Sequence, residues 1–281
     1  MPEIPELEAI RDFCNSHLTG LTILSAEVRI PTVVRTAPQE LREVLPGDSF
    51  GTVLRHGKFL LFPLASGRVL AINPMLTGRF QYLDHGARRH ARACLVIAFE
   101  GGRDLRYVDD RVMGKVYLVA ADQLAAIPNW ATNGPDLLDE SLDEERWLAG
   151  MKRYRGQVKA ILTNAEFVQG MGNAYSDEIL WEAGINPYTP KTALTEEDLR
   201  RLYRAARAVM AWATPLVRER MVKGDVLDYE ERRDFMRVHR LGGQSCPRCG
   251  ASISEITANQ RITSFCRTCQ PGGPSVGFRR D

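Results

Sequence analysis

The sequence predicts an α+β chain in three parts, and three observations predict it. From about residue 20 to residue 120 the apolar runs are short, β-rich and separated by polar or Gly-containing turns. After a turn-rich stretch at 127–136 the apolar residues recur at helical spacing. Past residue 240 the chain becomes glycine-rich and carries two Cys-x-x-Cys pairs.

The first element is a helix. Pro5 suits a first helical turn, where its missing N–H costs nothing, and Ile4, Leu7, Ile10 and Phe13 follow at helical spacing. The β-rich runs are Leu21–Ile30, Thr52–Leu54, Phe59–Leu64, Val69–Ile72, Cys94–Phe99, Leu105–Val108 and Lys115–Ala120. Short strands at this density imply a β-sandwich or a barrel. The linker contains Ile127-Pro-Asn-Trp-Ala-Thr-Asn-Gly-Pro-Asp136. Helices are expected near 143–151, 157–166, 174–183 and 195–222, the last opened by a capping box of Thr195 and Asp198.

The bulk properties narrow the class. A chain of 281 residues suits two domains and a small appendage, and 44% hydrophobic with 26% charged residues is an ordinary globular balance. A formal charge of +2 does not announce a nucleic-acid partner, so any such attraction must come from local clusters. No run of about 18 uncharged apolar residues is present, so no membrane span is expected. The opening MPEIPELEAI is acidic where a secretory signal is basic, which points to the cytoplasm. In that compartment cysteines are thiols or metal ligands. Cys246 and Cys249, then Cys266 and Cys269, offer four thiolates to one structural zinc ion with no open position for water. Cys14 and Cys94 stand alone and read as core thiols.

The N-terminus carries the chemistry. Removal of Met1 before the small residue Pro2 would expose a secondary α-amine. With a reference pKa near ~7.8 against ~10.4 for lysine, its free-base fraction at neutral pH is larger by roughly several hundredfold. An unprotonated amine is what attack on a sugar C1′ requires, and a secondary one forms a cationic iminium. Glu3 beside it and Glu6 one turn on are suited to proton donation and electrostatic support. The same tripeptide also reads simply as a helix start.

MPEIPELEAI resembles the MPELPEVE opening of the formamidopyrimidine-DNA glycosylase and endonuclease VIII family, nearer the former. The likeness recurs in order. Arg55-His-Gly-Lys-Phe-Leu-Leu61 resembles R-x-G-K-Y-L-L, Met75-Leu-Thr-Gly-Arg79 resembles the M-[ST]-G loop, and Asp109-Asp-Arg-Val-Met-Gly114 resembles D-x-R-[RK]-F-G. Gly134-Pro-Asp136, Gly170-Met-Gly-Asn-Ala-Tyr-Ser-Asp-Glu178, Ala183-Gly-Ile-Asn-Pro187 and Arg261-Ile-Thr-Ser-Phe-Cys266 complete the series. The resemblance implies an N-terminal β-sandwich with flanking helices over 1–125, a linker at 126–138, a helix–two-turn–helix DNA-binding domain over 139–239, and a zinc-finger β-hairpin over 240–281.

It also implies roles. Pro2 is the nucleophile and Glu3 the proton donor, while Lys58, Asn173 and Arg261 grip phosphate. Leu76, Arg111 and Met113 fill the stack that a flipped nucleotide vacates. The implied protein is a monomeric bifunctional glycosylase and abasic-site lyase that acts on damaged double-stranded DNA, removes oxidised bases by β,δ-elimination and needs no cofactor beyond zinc. Three departures bear on the substrate. Asn73 stands where the family has a phosphate-binding histidine, Leu162-Thr-Asn-Ala165 replaces L-L-D-Q, and the stretch 213–240 lacks the family's G-G-[ST]-T segment and instead carries Asp228-Tyr-Glu-Glu-Arg-Arg-Asp234. The last implies a different lesion pocket. Rival readings are an endonuclease VIII-like specialist for oxidised pyrimidines, a non-catalytic binder of damaged or abasic DNA and, more remotely, a zinc-ribbon RNA-binding factor.

Overall fold

The structure, a computed structural model, describes residues 1–228, 233–258 and 261–272. The middle of the charged stretch noted above, 229–232, lies outside them. The chain forms two compact units: Met1–Thr132 with Ala213–Arg232, and Asn133–Trp212 with Arg233–Asp281.

The first unit opens with α1 (Ile4–His17), whose apolar stripe of Ile4, Leu7, Ile10 and Phe13 is buried as its spacing predicts. Among the described residues, ten strands follow in two antiparallel sheets. β1 (Ile23–Val28), β6 (Ala93–Phe99), β7 (Arg103–Asp109), β5 (Gly78–Asp84), β10 (Val226–Asp228) and β9 (Val222–Lys223) make one sheet in that order. β2 (Leu54–His56), β3 (Phe59–Pro63), β4 (Arg68–Asn73) and β8 (Lys115–Ala120) make the other. Aromatic rings join the two inner faces: Phe62 of β3 lies 6.2 Å from Phe80 of β5, and Phe50 lies 5.1 Å from Phe62 and 5.7 Å from Phe99 of β6. Tilted pairs at these distances add to the area they bury. This is the sandwich, and the barrel alternative falls away. Cys14 and Cys94 are fully buried in it, as expected of core thiols.

Several elements differ from the sequence expectation. β5 is a strand beyond those expected: Phe80 and Tyr82 are buried while Arg79, Gln81 and Leu83 are half-buried, the alternation of a half-buried strand. A short α2 (Pro38–Val44) also escaped notice, and the strand expected at Thr52–Leu54 begins instead at Leu54. Residues 213–228, assigned by periodicity to the helical domain, belong with the first unit. There Arg218 pairs with Asp12 of α1, while Leu227 and Asp228 add to the sheet opposite Tyr82 and Gln81.

The second unit contains α3 (Glu144–Lys152), α4 (Val158–Leu162), α5 (Asn173–Ala183), the first part of α6 (Glu196–Met221), and the hairpin β11 (Ile253–Ala258) with β12 (Arg261–Cys266). Thr195 and Asp198 cap α6 reciprocally, at 2.9 and 3.2 Å, as their spacing predicts. α4 stops four residues early because the Asn164 side chain accepts from Glu166 N at 3.0 Å, a local turn that competes with the helix. α5 ends at Gly184, whose φ of 67° is the left-handed cap that glycine adopts without strain.

A buried ion pair fixes α1 to the second sheet: Arg55 Nε lies 2.6 Å from Glu8 Oε1, with side chains 4% and 8% exposed. Removing one partner strands the other charge. Arg55→Met is therefore expected to lower unfolding free energy by about 3–5 kcal/mol in urea titration, and Arg55→Met with Glu8→Leu to recover most of it.

Candidate functional site

Three clusters gather the residues singled out by sequence. The first is the start of α1. Glu3 is the N-cap and Glu6 the third helical residue, and each carboxylate accepts from the other's backbone N–H, with Glu3 N to Glu6 Oε2 at 2.9 Å. Both glutamates are 1% exposed and Pro2 is buried. Negative charge at a helix N-terminus is favoured by the helix dipole, which helps these carboxylates remain inside. Lys58 arrives on the tight turn between β2 and β3, where Gly57 has a φ of 57° and its carbonyl accepts from Arg55 at 3.2 Å. Its ammonium lies 4.0 Å from Met1 Sδ. Met1 and Lys58, far apart in sequence, thus meet.

The second cluster joins two loops through Asp109, which is fully buried. One carboxylate oxygen accepts from the N–H of Met113 at 2.8 Å and of Gly114 at 2.7 Å. The other accepts from Arg111 N at 3.2 Å and from the Thr77 hydroxyl. Arg111 N also donates to Thr77 Oγ1 at 3.0 Å. Asn73 Oδ1 accepts from Met75 N at 3.0 Å, holding Met75 at φ 50° and shaping the same loop. Leu76 and Met113 are therefore held on neighbouring loops, 37% and 41% exposed, two of only four exposed large hydrophobics among the described residues. Arg111 is exposed between them in sequence. Close packing permits only glycine behind them: a Cβ on Gly114 would lie 1.8 Å from the Tyr107 hydroxyl, and one on Gly78 would lie 2.3 Å from Pro74 O. Burial, followed by the Asp109 charge, pushes the Tyr107 hydroxyl far up, so it stays neutral.

The third cluster is in the second unit. Asn173, the first residue of α5, donates to Ile262 O at 2.7 Å, so it sits against the strand that begins with the exposed Arg261. Beneath them Asp177 accepts from Ser264 N at 3.2 Å and contacts Lys159 Nζ at 2.6 Å and His239 Nδ1 at 2.7 Å. Lys159 donates onward to Thr263 Oγ1 at 2.8 Å. Glu178 accepts from the backbone N–H of Arg237, Val238 and His239 at 3.0, 2.9 and 2.9 Å. Burial pushes its carboxyl up and these donors oppose the shift.

The four cysteines close the hairpin. Their sulfurs all lie within 4.8 Å of one another, with Cys246–Cys269 at 3.8 Å and Cys249–Cys266 at 3.5 Å. Tetrahedral zinc with Zn–S near ~2.3 Å separates its sulfurs by about 3.8 Å, so the set fits one structural zinc ion. Burial opposes ionisation of Cys246, yet N–H donors from Arg248, Trp181 and Cys249 draw it down to about 6. The Trp181 indole lies 3.4 Å from that sulfur.

Asp109 and Asp177 lie inside family-like motifs whose spelling gives neither a task, and Lys159 and His239 stand outside any motif. A lone polar residue in an apolar run, as at Lys159 between Val158 and Ile161, was the available signal. Among the described residues, no helix is long and apolar enough to cross a membrane.

Three family models match successive segments of the chain. Residues 1–116 match the formamidopyrimidine-DNA glycosylase N-terminal domain, 133–220 the H2TH domain of that protein, and 243–272 the zinc finger found in FPG and IleRS. The formamidopyrimidine-DNA glycosylase of Pelotomaculum thermopropionicum is 32% identical, over 96% of this chain and 99% of its own. That of Thermus thermophilus is 34% identical, over 98% and 100%. Lactococcus lactis formamidopyrimidine-DNA glycosylase, non-covalently bound to DNA containing an AP site, shares the fold with a TM-score of 0.85 and 27% identity, over 96% of this chain and 100% of that one. A point mutant of the Lactococcus lactis enzyme with Fapy-dG-containing DNA gives 0.87 and 28% over the same shares.

The Asp109 cluster yields a sharp expectation. Gly114→Ala forces Tyr107 aside and should cost about 1–3 kcal/mol of stability in urea unfolding, as overpacking does. An alanine variant as stable as wild type would contradict the close approach.

Proposed function

This chain belongs to the formamidopyrimidine-DNA glycosylase family, a DNA glycosylase of base excision repair with abasic-site lyase activity, and we propose that its reaction runs through the amine of Pro2. With Met1 removed, the Pro2 nitrogen attacks C1′ of a flipped, oxidised nucleotide as the glycosidic bond breaks and the base leaves. Glu3 protonates the ring oxygen, the sugar opens, and the cationic iminium acidifies the C2′ hydrogens. Loss of a C2′ proton expels the 3′ phosphate, and a second elimination expels the 5′ phosphate. Hydrolysis then frees Pro2.

The observation that carries this reading is the buried reciprocal cap of Glu3 and Glu6, which fixes residue 2 at a helix start. Lys58, Asn173 and Arg261 are the phosphate ligands, the last two tied through Ile262. Leu76, Arg111 and Met113 are the residues that fill the vacated stack, as apolar wedges do at kinked steps. Zinc is structural and enters no step. The enzyme acts as a monomer on damaged duplex DNA, in the cytoplasm at the nucleoid.

A panel of duplexes, each carrying one oxidised purine or pyrimidine, tests the activity and ranks the lesions in a single experiment. On the best of them Glu3→Gln is expected to slow single-turnover cleavage by about 10²–10⁴-fold. No lesion cleaved faster than undamaged duplex, or a fully active Glu3→Gln, would overturn the proposal.

A further inference from the structure

Val112 lies between Arg111 and Met113 and holds a φ of 55°, a left-handed conformation that a β-branched residue resists. Such backbone persists only where its surroundings over-determine it. Asp109 restrains it through its carbonyl, which accepts from Val112 N at 3.2 Å, and through its carboxylate, which accepts from the N–H of Arg111, Met113 and Gly114. A further restraint comes from outside the loop. Arg79 on β5, paired in register with Val108 of β7, reaches Asp110 with two nitrogens, Nη1 to Oδ2 at 2.6 Å and Nη2 to Oδ1 at 3.3 Å. The forked geometry fixes orientation as well as distance. Arg79 also lies 3.2 Å from His90 Nε2, and its hydrogen bond holds the Asp110 carboxyl below the usual carboxylate range. The two ends of this pair flank the stack-filling residues. Arg79 follows Leu76 by three positions, and Asp110 directly precedes Arg111.

We propose that Arg79 and Asp110 form a positioning strap that holds the strained turn at 110–113 in its insertion-ready shape, so that Arg111 and Met113 enter the DNA stack preformed. The proposal rests on the reading of Leu76, Arg111 and Met113 as stack-filling residues. It concerns the loop rather than the fold. The Asp110 side chain is 48% exposed, and an ion pair with so exposed a partner contributes little to global stability. A preformed loop gains in rate because the ordering cost falls before the encounter.

The test uses the full-length zinc-loaded enzyme at saturating concentration. A duplex carrying a tetrahydrofuran abasic analogue with 2-aminopurine opposite it reports insertion as a fluorescence phase in stopped flow. Asp110→Asn is expected to slow that phase by about tenfold while leaving the urea midpoint at the wild-type value. Val112→Gly relieves the strain, so the double variant should insert at the rate of Val112→Gly alone, to within about twofold. Wild-type insertion by Asp110→Asn, a double variant as slow as Asp110→Asn, or a lowered urea midpoint would overturn the strap. Leu76→Ala with Met113→Ala separates the two readings. An undiminished signal from that variant overturns the stack-filling assignment itself, whereas a lost signal alongside normal Asp110→Asn kinetics overturns the strap alone.

Discussion

The reciprocal cap between Glu3 and Glu6 is the constraint on which the placement of this chain's first residues, and with it the proposed chemistry, depends. A free chain terminus ordinarily has no fixed place, because ordering it costs backbone entropy and returns few contacts. Here the ordering is done by the helix. Ile4, Leu7 and Ile10 bury the apolar stripe of α1, the Glu8–Arg55 pair ties that helix to the second sheet, and the two glutamates satisfy the first orphan N–H groups. Residue 2 inherits a defined position from all of this. In the proposed reaction the Pro2 amine combines low intrinsic basicity with this placement, and neither property would suffice alone.

Buried carboxylates recur as organising centres. Asp109 gathers N–H and O–H donors from two loops and leaves Leu76 and Met113 standing out. Asp177 does the corresponding work in the second unit, joining α4, α5, the 237–240 segment and β12 beneath Asn173 and Arg261. In each case one acidic group holds several chain segments in register. Its own burial is compensated by those bonds, so truncating it would expose many unpaired donors at once. Zinc plays the same part by coordination, pinning the hairpin from which Arg261 projects.

How much of this was legible in the sequence depended on distance along the chain. The zinc ligands were readable from spacing alone, because two Cys-x-x-Cys pairs specify a sphere whatever lies between them. The proposal for Pro2 comes from its position as the second residue rather than from any contact in the structure. The tasks of Asp109 and Asp177 were not readable. The donors of Asp109 include Thr77 and Met113, those of Asp177 include Lys159 and Ser264, and no periodicity brings them to notice. The β9–β10 hairpin was lost for another reason. The apolar spacing of α6 runs to Met221 without a break, and only pairing with Tyr82 and Gln81 turns the next residues into strands. The resemblance to a family supplied roles for Lys58, Asn173 and Arg261 that their residue types alone could not.

Peptide mapping tests the central claim most directly. The enzyme is incubated with abasic duplex DNA in borohydride, digested with protease and nuclease, and the modified peptide sequenced by tandem mass spectrometry. The account predicts a deoxyribose remnant on the nitrogen of Pro2, in a peptide that begins at residue 2. A remnant on Lys58 or any other lysine, or one carried by chains that still begin with Met1, would contradict it.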